Sequence, residues 1–131
     1  MFKAKCEINI NKGKFMKVLI AYKKGNCRST LQEVIANKWK NSAISYAENL
    51  SALNEYVFTD KFDLLILDAQ MFVQTQLHSF IAKAIQYNKV IVFSDLDYFD
   101  RDNEILVEMG VFALLPKNCA KEQIENTLAL L

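Results

Sequence analysis

Glycine and proline are scarce in this chain of 131 residues, with three of one and one of the other. A many-turned β-sandwich or a collagen-like repeat needs more of both, so those classes fit poorly. Cysteine is scarce as well. Cys6, Cys27 and Cys119 are isolated and odd in number, form no CxxC pair, and have only one histidine, His78, to join them. A disulfide framework and a structural zinc site therefore lack ligands, and a reducing, cytoplasmic setting is expected. An excess of one charge is also missing, since 16 Lys and Arg face 15 Asp and Glu. A formal charge of +1 gives no global field for nucleic acid or an anionic membrane, so neither is an expected partner of this chain. No apolar run approaches the roughly 18 residues of a membrane span. Met1 to Lys14 carries lysines with no long apolar stretch behind them, which argues against a secretory signal.

What is present is enough apolar material for a core: 52% of residues are apolar and 24% charged, at a length typical of one domain. Three runs are short and almost continuously apolar: Met16 to Tyr22, Phe62 to Leu67 ending at Asp68, and Lys89 to Phe93 ending at Ser94. Continuous rather than alternating patterns suit strands covered on both faces. Two weaker strands fit at Ala43 to Ala47 and Val111 to Leu115. Helical spacings alternate with them. Leu31, Val34, Ile35, Lys38 and Trp39 mark the first helix, with Thr30-x-x-Glu33 as a capping box. Leu50, Leu53 and Val57 mark the second, and Val73, Leu77, Phe80, Ala84 and Ile85 the third. Ile105, Leu106 and Met109 mark the fourth, with Gly110 where a left-handed cap is expected. Ile124, Leu128 and Leu131 mark the fifth, with Asn118 as its upstream cap. This alternation predicts a doubly wound α/β domain over residues 16–131. Residues 1–15 form an N-terminal extension with three open readings: a flexible arm, an added edge strand in which Ala4, Cys6, Ile8 and Ile10 alternate, or a start upstream of the true one at Met16.

Ligands of open parallel sheets gather at the C-terminal ends of the strands. Those ends carry Tyr22-Lys23, Asp68, Ser94 and, just past the fifth strand, Lys117. A carboxylate, a hydroxyl and an ammonium are thus expected on one rim. Here the chain resembles the CheY-like receiver domains of bacterial response regulators, over roughly Met16 to Leu131. The resemblance rests on Phe62-Asp63-Leu64-Leu65-Ile66-Leu67-Asp68-Ala69-Gln70-Met71, Val90-Ile91-Val92-Phe93-Ser94 and Gly110-Val111-Phe112-Ala113-Leu114-Leu115-Pro116-Lys117. With the right-handed crossover rule it implies a flavodoxin-like five-stranded parallel sheet in the order 2-1-3-4-5. It also implies Asp68 as phosphoacceptor for a histidine kinase, with Ser94 and Lys117 contacting the phosphoryl group.

The departures concern the chemistry rather than the fold. Receivers place two acids after the first strand to hold Mg²⁺; this chain has Tyr22 and Lys23 there, followed by Lys24. Mg²⁺ wants carboxylate oxygens, so no metal is expected. Leu114 stands where many receivers have a switching aromatic, and Asn118 where proline usually follows the lysine. The proline and glycine common after the phosphoacceptor strand are missing from Met71-Phe72-Val73-Gln74-Thr75.

Other features have bland readings. The loop Lys23 to Thr30 has one glycine and is neither a Walker loop nor GxGxxG, so it reads as a solvated basic loop rather than an anion site. Asp95, Asp97, Asp100, Asp102 and Glu104 read as solvated or helix-capping, Asp95 alone being close enough to the rim to suggest a metal. Cys27 reads as non-functional, His78 as exposed, and Trp39, Phe72 and Phe80 as packing residues.

The expected function is that of an atypical receiver in signal transduction, working by docking and not as an enzyme, with Asp68 in a salt-bridged cluster with Lys23 and Lys117. Its docking face, as the resemblance implies, is Arg101 to Met109, Val111 to Leu115 and Lys121 to Leu131, open to a homodimer, a histidine kinase or an output protein. No output domain is expected after Leu131, although the Leu114-Leu115-Pro116-Lys117 ending is similar to that of receivers joined to helix-turn-helix domains. Two rivals stand beside this reading. One is a working phosphorelay receiver that phosphorylates itself on Asp68 from a phosphodonor. The other is a flavodoxin-like anion or nucleotide binder using the Lys23 loop.

Overall fold

The computed structural model describes residues 15–22, 26–95 and 101–131. The readings of residues 1–14, of Lys23 and its loop, and of Asp97 and Asp100 fall outside these residues. The described part is an alternation of five strands and five helices: β1 (Met16–Ala21), α1 (Asn26–Lys38), β2 (Ser42–Tyr46), α2 (Leu50–Thr59), β3 (Leu64–Asp68), α3 (Gln74–Ala84), β4 (Lys89–Ser94), α4 (Arg101–Met109), β5 (Ala113–Pro116) and α5 (Lys121–Leu128). A single 3₁₀ turn, Ala69–Met71, follows β3.

All strand pairs are parallel, and the sheet order is β2-β1-β3-β4-β5, as predicted. Successive side chains of a strand point to opposite faces. Val18 and Ile20 of β1, Leu64 and Ile66 of β3, and Ile91 and Phe93 of β4 join Leu31, Val34 and Ile35 of α1 and Ile124 and Leu128 of α5 in one core layer. Leu19, Leu65, Leu67, Val90 and Val92 point the other way, onto Leu53 of α2, Leu77, Phe80 and Ile81 of α3, and Leu106 of α4. Leu19, Ile20, Leu65 and Ile66 are all fully buried. Cover on both faces is the physical reason the strand sequences are apolar without alternation.

Element ends differ from the sequence reading in ways that local bonding explains. The first helix starts at Asn26, four residues before the predicted box. The connection from β1 is short, as βα connections commonly are, so Thr30 already lies inside the helix and lacks the non-helical backbone of an N-cap. The sequence reading overlooked Asn49, whose Oδ1 accepts the Ala52 N–H at 2.8 Å and caps α2. Asn118 is not the cap of α5. That position belongs to Ala120, which makes no side-chain cap bond, because the chain first turns at residues 116–119, where Cys119 N–H donates to Pro116 C=O. Strand β5 begins at Ala113 rather than Val111, since Val111 is used in closing α4: its N–H donates to Leu106 C=O while Gly110 N–H donates to Val107 C=O. These two bonds make a Schellman cap with Gly110 at φ +103°, the left-handed closure read from the sequence.

On the exposed side of the first core layer, Lys121 of α5 pairs with Glu33 of α1. The hydrogen bond to Glu33, then its charge, raises the Lys121 pKa, with a smaller rise from Glu125 and a small opposing effect of burial. A raised lysine pKa contributes stability that is present below the unfolded value and lost as pH rises through the folded one. Both partners are solvated, so little is expected of the pair.

A β-carbon at Gly110 would meet only Ile85 Cδ1 at 3.9 Å, an ordinary contact, so the cost of a side chain there is in the backbone. Gly110→Ala is expected to destabilise the domain by about 1 kcal/mol, read as a lower urea midpoint at unchanged slope.

Candidate functional site

The parallel register brings the ends of β1, β3, β4 and β5 to one rim. Ala21 pairs with Leu67, so the next step sets Tyr22 beside Asp68. Asp68 pairs with Phe93, and Ser94 pairs with Pro116. Lys117 N–H donates to the Ser94 carbonyl at 3.2 Å, which carries the hydrogen bonding one residue past β5 and fixes where the lysine leaves the sheet. Tyr22, Asp68, Ser94 and Lys117 therefore share the rim. Lys23, the next residue after Tyr22, lies outside the described residues.

Asp68 is fully buried. Its Oδ1 accepts the Gln70 backbone N–H at 2.9 Å, which starts the 3₁₀ turn, and stands 3.1 Å from the Lys117 ammonium. Its Oδ2 is buried and has no hydrogen-bond partner among the described residues. An ionised carboxylate out of water is costly unless neutralised, so Lys117 is the group that makes this position tenable. The lysine is largely buried too, its side chain being 18% exposed.

The Lys117 ammonium also meets Gln70 and Tyr22. It donates to Gln70 Oε1 at 2.8 Å and stands 5.6 Å from the centre of the Tyr22 ring. That ring is buried and meets Phe93 edge to face, with centroids 5.6 Å apart and planes at 72°. The other end of the Gln70 amide, Nε2, donates to Asp95 Oδ2 at 2.5 Å. The polar groups thus form a chain: Asp95 to Gln70 to Lys117 to Asp68. Arranged this way, the rim can hold a buried anion against a cation and clasp that cation from outside.

Gln70 was overlooked as a site residue in the sequence. The available signal was an amide two residues after a strand-ending carboxylate, where a side chain that both donates and accepts can join an ammonium to a second carboxylate. Asp95 does reach the rim, held there by Gln70. Ser94 is buried at the end of β4. His78, predicted exposed, is half-buried, with its Nε2 buried and lacking a hydrogen-bond partner among the described residues. It borders Ile81 three positions on, so the buried flank of α3 is wider than the stripe of Leu77, Phe80 and Ala84 suggested. Trp39 and Phe80 are buried and Phe72 is half-buried against Phe80, which fits packing roles.

No protein-family model and no curated protein matches the sequence. Solved structures do match in three dimensions. A signal receiver domain of a two-component signal transduction histidine kinase from Clostridium thermocellum superposes with a TM-score of 0.74 at 17% identity, over 88% of this chain and 95% of that one. A signal receiver domain of a DNA-binding response regulator from Colwellia psychrerythraea gives 0.72 at 18% identity, over 88% and 96%. RcsB from Salmonella enterica serovar Typhimurium, in a structure bound to a promoter, gives 0.72 at 17% identity, over 88% and 67%. The chain has the receiver-domain fold.

Lys117→Met leaves Asp68 buried without its cation and is expected to cost about 2–4 kcal/mol by urea unfolding. Adding Asp68→Asn should recover most of that loss, whereas Gln70→Ala, which removes only the outer clasp, should cost about 1 kcal/mol. A Lys117→Met cost under roughly 0.5 kcal/mol, the range of solvated pairs, would show that the pair is not structural.

Proposed function

We propose that this protein is an atypical receiver domain that acts in bacterial signal transduction by docking to other proteins. In this reading Asp68 is one half of a buried ion pair and is not phosphorylated with the help of Mg²⁺. The observation that carries it is Tyr22. The receiver resemblance calls for acids beside the phosphoacceptor, and the buried Tyr22 ring, packed on Phe93 with the Lys117 ammonium 5.6 Å from its centre, supports the reading that they are replaced here.

The residues at the rim are a poor match for Mg²⁺, which wants near-octahedral oxygen ligands. Asp68 Oδ1 is committed to Lys117 and the Gln70 N–H, and Asp95 Oδ2 is committed to the Gln70 amide. Among the described residues no group of three His, Cys, Asp or Glu converges in a way that would hold a metal. Without a metal, charge building on a transferring phosphoryl group would lack its main neutraliser.

Output by contact then follows as the domain's mode of action, without enzyme activity. The face made by α4, β5 and α5 is the proposed docking surface, and Val107 of α4 is 60% exposed on it. A homodimer, a histidine kinase or an output protein are the partners this face would serve, in the cytoplasm. Among the described residues no helix is long and apolar enough to cross a membrane.

A second reading, a working phosphoacceptor, is favoured by one observation: Asp68, Ser94 and Lys117 share one rim, and Asp68 Oδ2 has no partner among the described residues. Titration calorimetry separates the two. The wild type is expected to give no saturable heat with millimolar Mg²⁺, while the double variant Tyr22→Asp, Lys23→Asp gains a site that a further Asp68→Asn removes. Saturable binding to the wild type that Asp68→Asn abolishes would favour the second reading.

A further inference from the structure

We propose that the groove between α2 and α3 is a docking site for a short acidic segment of a partner protein that carries one bulky apolar anchor. The groove, about 470 Å³ in volume, is lined by Leu50, Asn54 and Phe58 of the α2 side and Phe72, Gln76, Ser79, Phe80 and Lys83 of the α3 side. That volume lies in the range of sites that take a large side chain or a small ligand.

Three phenyl rings make its apolar part. Phe72 and Phe80 lie with centroids 5.3 Å apart at 44°, and Phe58 meets Phe80 edge-on at 6.2 Å and 63°. Phe80 is buried, but Phe58 remains 52% exposed, so the strip of rings ends in water. Aromatic surface left open beside a concavity is the kind that anchors partners. A second cavity, lined in part by Tyr87 and Lys61, is also lined by Phe58, so this residue borders two concave surfaces.

Charge selects the occupant. Among the described residues, Lys83 is the one charged side chain lining the groove, and no carboxylate lines it. Among the described residues Lys83 forms no ion pair. An anchor bound between the rings would bring its flanking residues to that ammonium, which rewards a carboxylate and penalises a cation. A second copy of this chain is the weaker occupant. A two-fold dimer presents the same patch from both sides, and this would bring two Lys83 ammoniums together. Each wall is one helix of 10 or 11 residues, about 15 Å long, so four or five extended residues fill the groove. None of its lining residues belongs to the Asp68 rim, and the inference stands whether or not Asp68 is phosphorylated.

The test uses two synthetic peptides, acetyl-Asp-Glu-Phe-Leu-Asp-amide and its counterpart with lysine in place of each acid. Each is titrated into the ¹⁵N-labelled full chain. The acidic peptide is expected to bind saturably and to shift amides of Leu50, Phe58, Phe80 and Lys83. Phe58→Ala and Lys83→Gln should each weaken it roughly tenfold. Lys83→Glu should reverse the preference towards the basic peptide. Circular dichroism melts of each variant separate loss of the site from loss of the fold. Equal binding of both peptides, shifts confined to another face, no saturation at several millimolar, or concentration-dependent dimerisation through Phe58 would each overturn the proposal.

Discussion

A carboxylate with no exposed surface sits at the mouth of this sheet, and the arrangement of the rim follows from the need to neutralise it. Asp68 cannot move outward, because it ends a strand flanked on both sides by parallel neighbours and its Oδ1 starts the next turn. The cation must come to it. Lys117 does so because β5 ends at Pro116 and the Lys117 N–H is tied to Ser94, which aims the side chain across the strand ends. Gln70 and the Tyr22 ring then hold the ammonium from two more sides. Such a pair adds little net stability relative to apolar residues of the same shape, since both charges lose water. Its effect is positional, fixing the turn after β3 against the loop after β5.

The dryness that makes Asp68 expensive comes from the fold. With α1 and α5 on one face and α2, α3 and α4 on the other, the interior strands are covered on both faces towards the rim. In that setting the Tyr22 ring continues the core layer of Val18 and Ile20 up to the rim. The same ring supplies a face for the Lys117 ammonium and offers a hard cation no carboxylate oxygen. One residue thus links the packing of the sheet to the chemistry we propose the site has given up.

Strands covered on both faces were legible in the sequence, because burial on two faces writes an apolar run into β1, β3 and β4, while the sheet order followed from the receiver resemblance and the crossover rule. The edges were less so. Helix α1 starts by the constraint of a short connection, which no capping box reports, and β5 yields Val111 to the closure of α4. At the rim, Asp68, Ser94 and Lys117 could be named from their places at strand ends. Gln70 was harder to see, with only its place two residues after Asp68 to mark it, because its importance lies in a bridge between Lys117, 47 residues away in sequence, and Asp95, 25 away. Long-range polar contacts of this kind leave no local periodicity to read. The buried Nε2 of His78 was missed for a similar reason, since partial cover of a helix flank depends on neighbours that sequence spacing does not reveal.

The central claim is that Asp68 is engaged as a structural anion rather than poised to react. Exposure of the purified chain to acetyl phosphate and Mg²⁺, followed by intact-mass spectrometry, addresses it most directly. The account predicts no phosphoryl adduct on the wild type. It predicts an adduct in the variant that restores acids at Tyr22 and Lys23, and loss of that adduct with Asp68→Asn. A stable, Asp68-dependent adduct on the wild-type chain would contradict it.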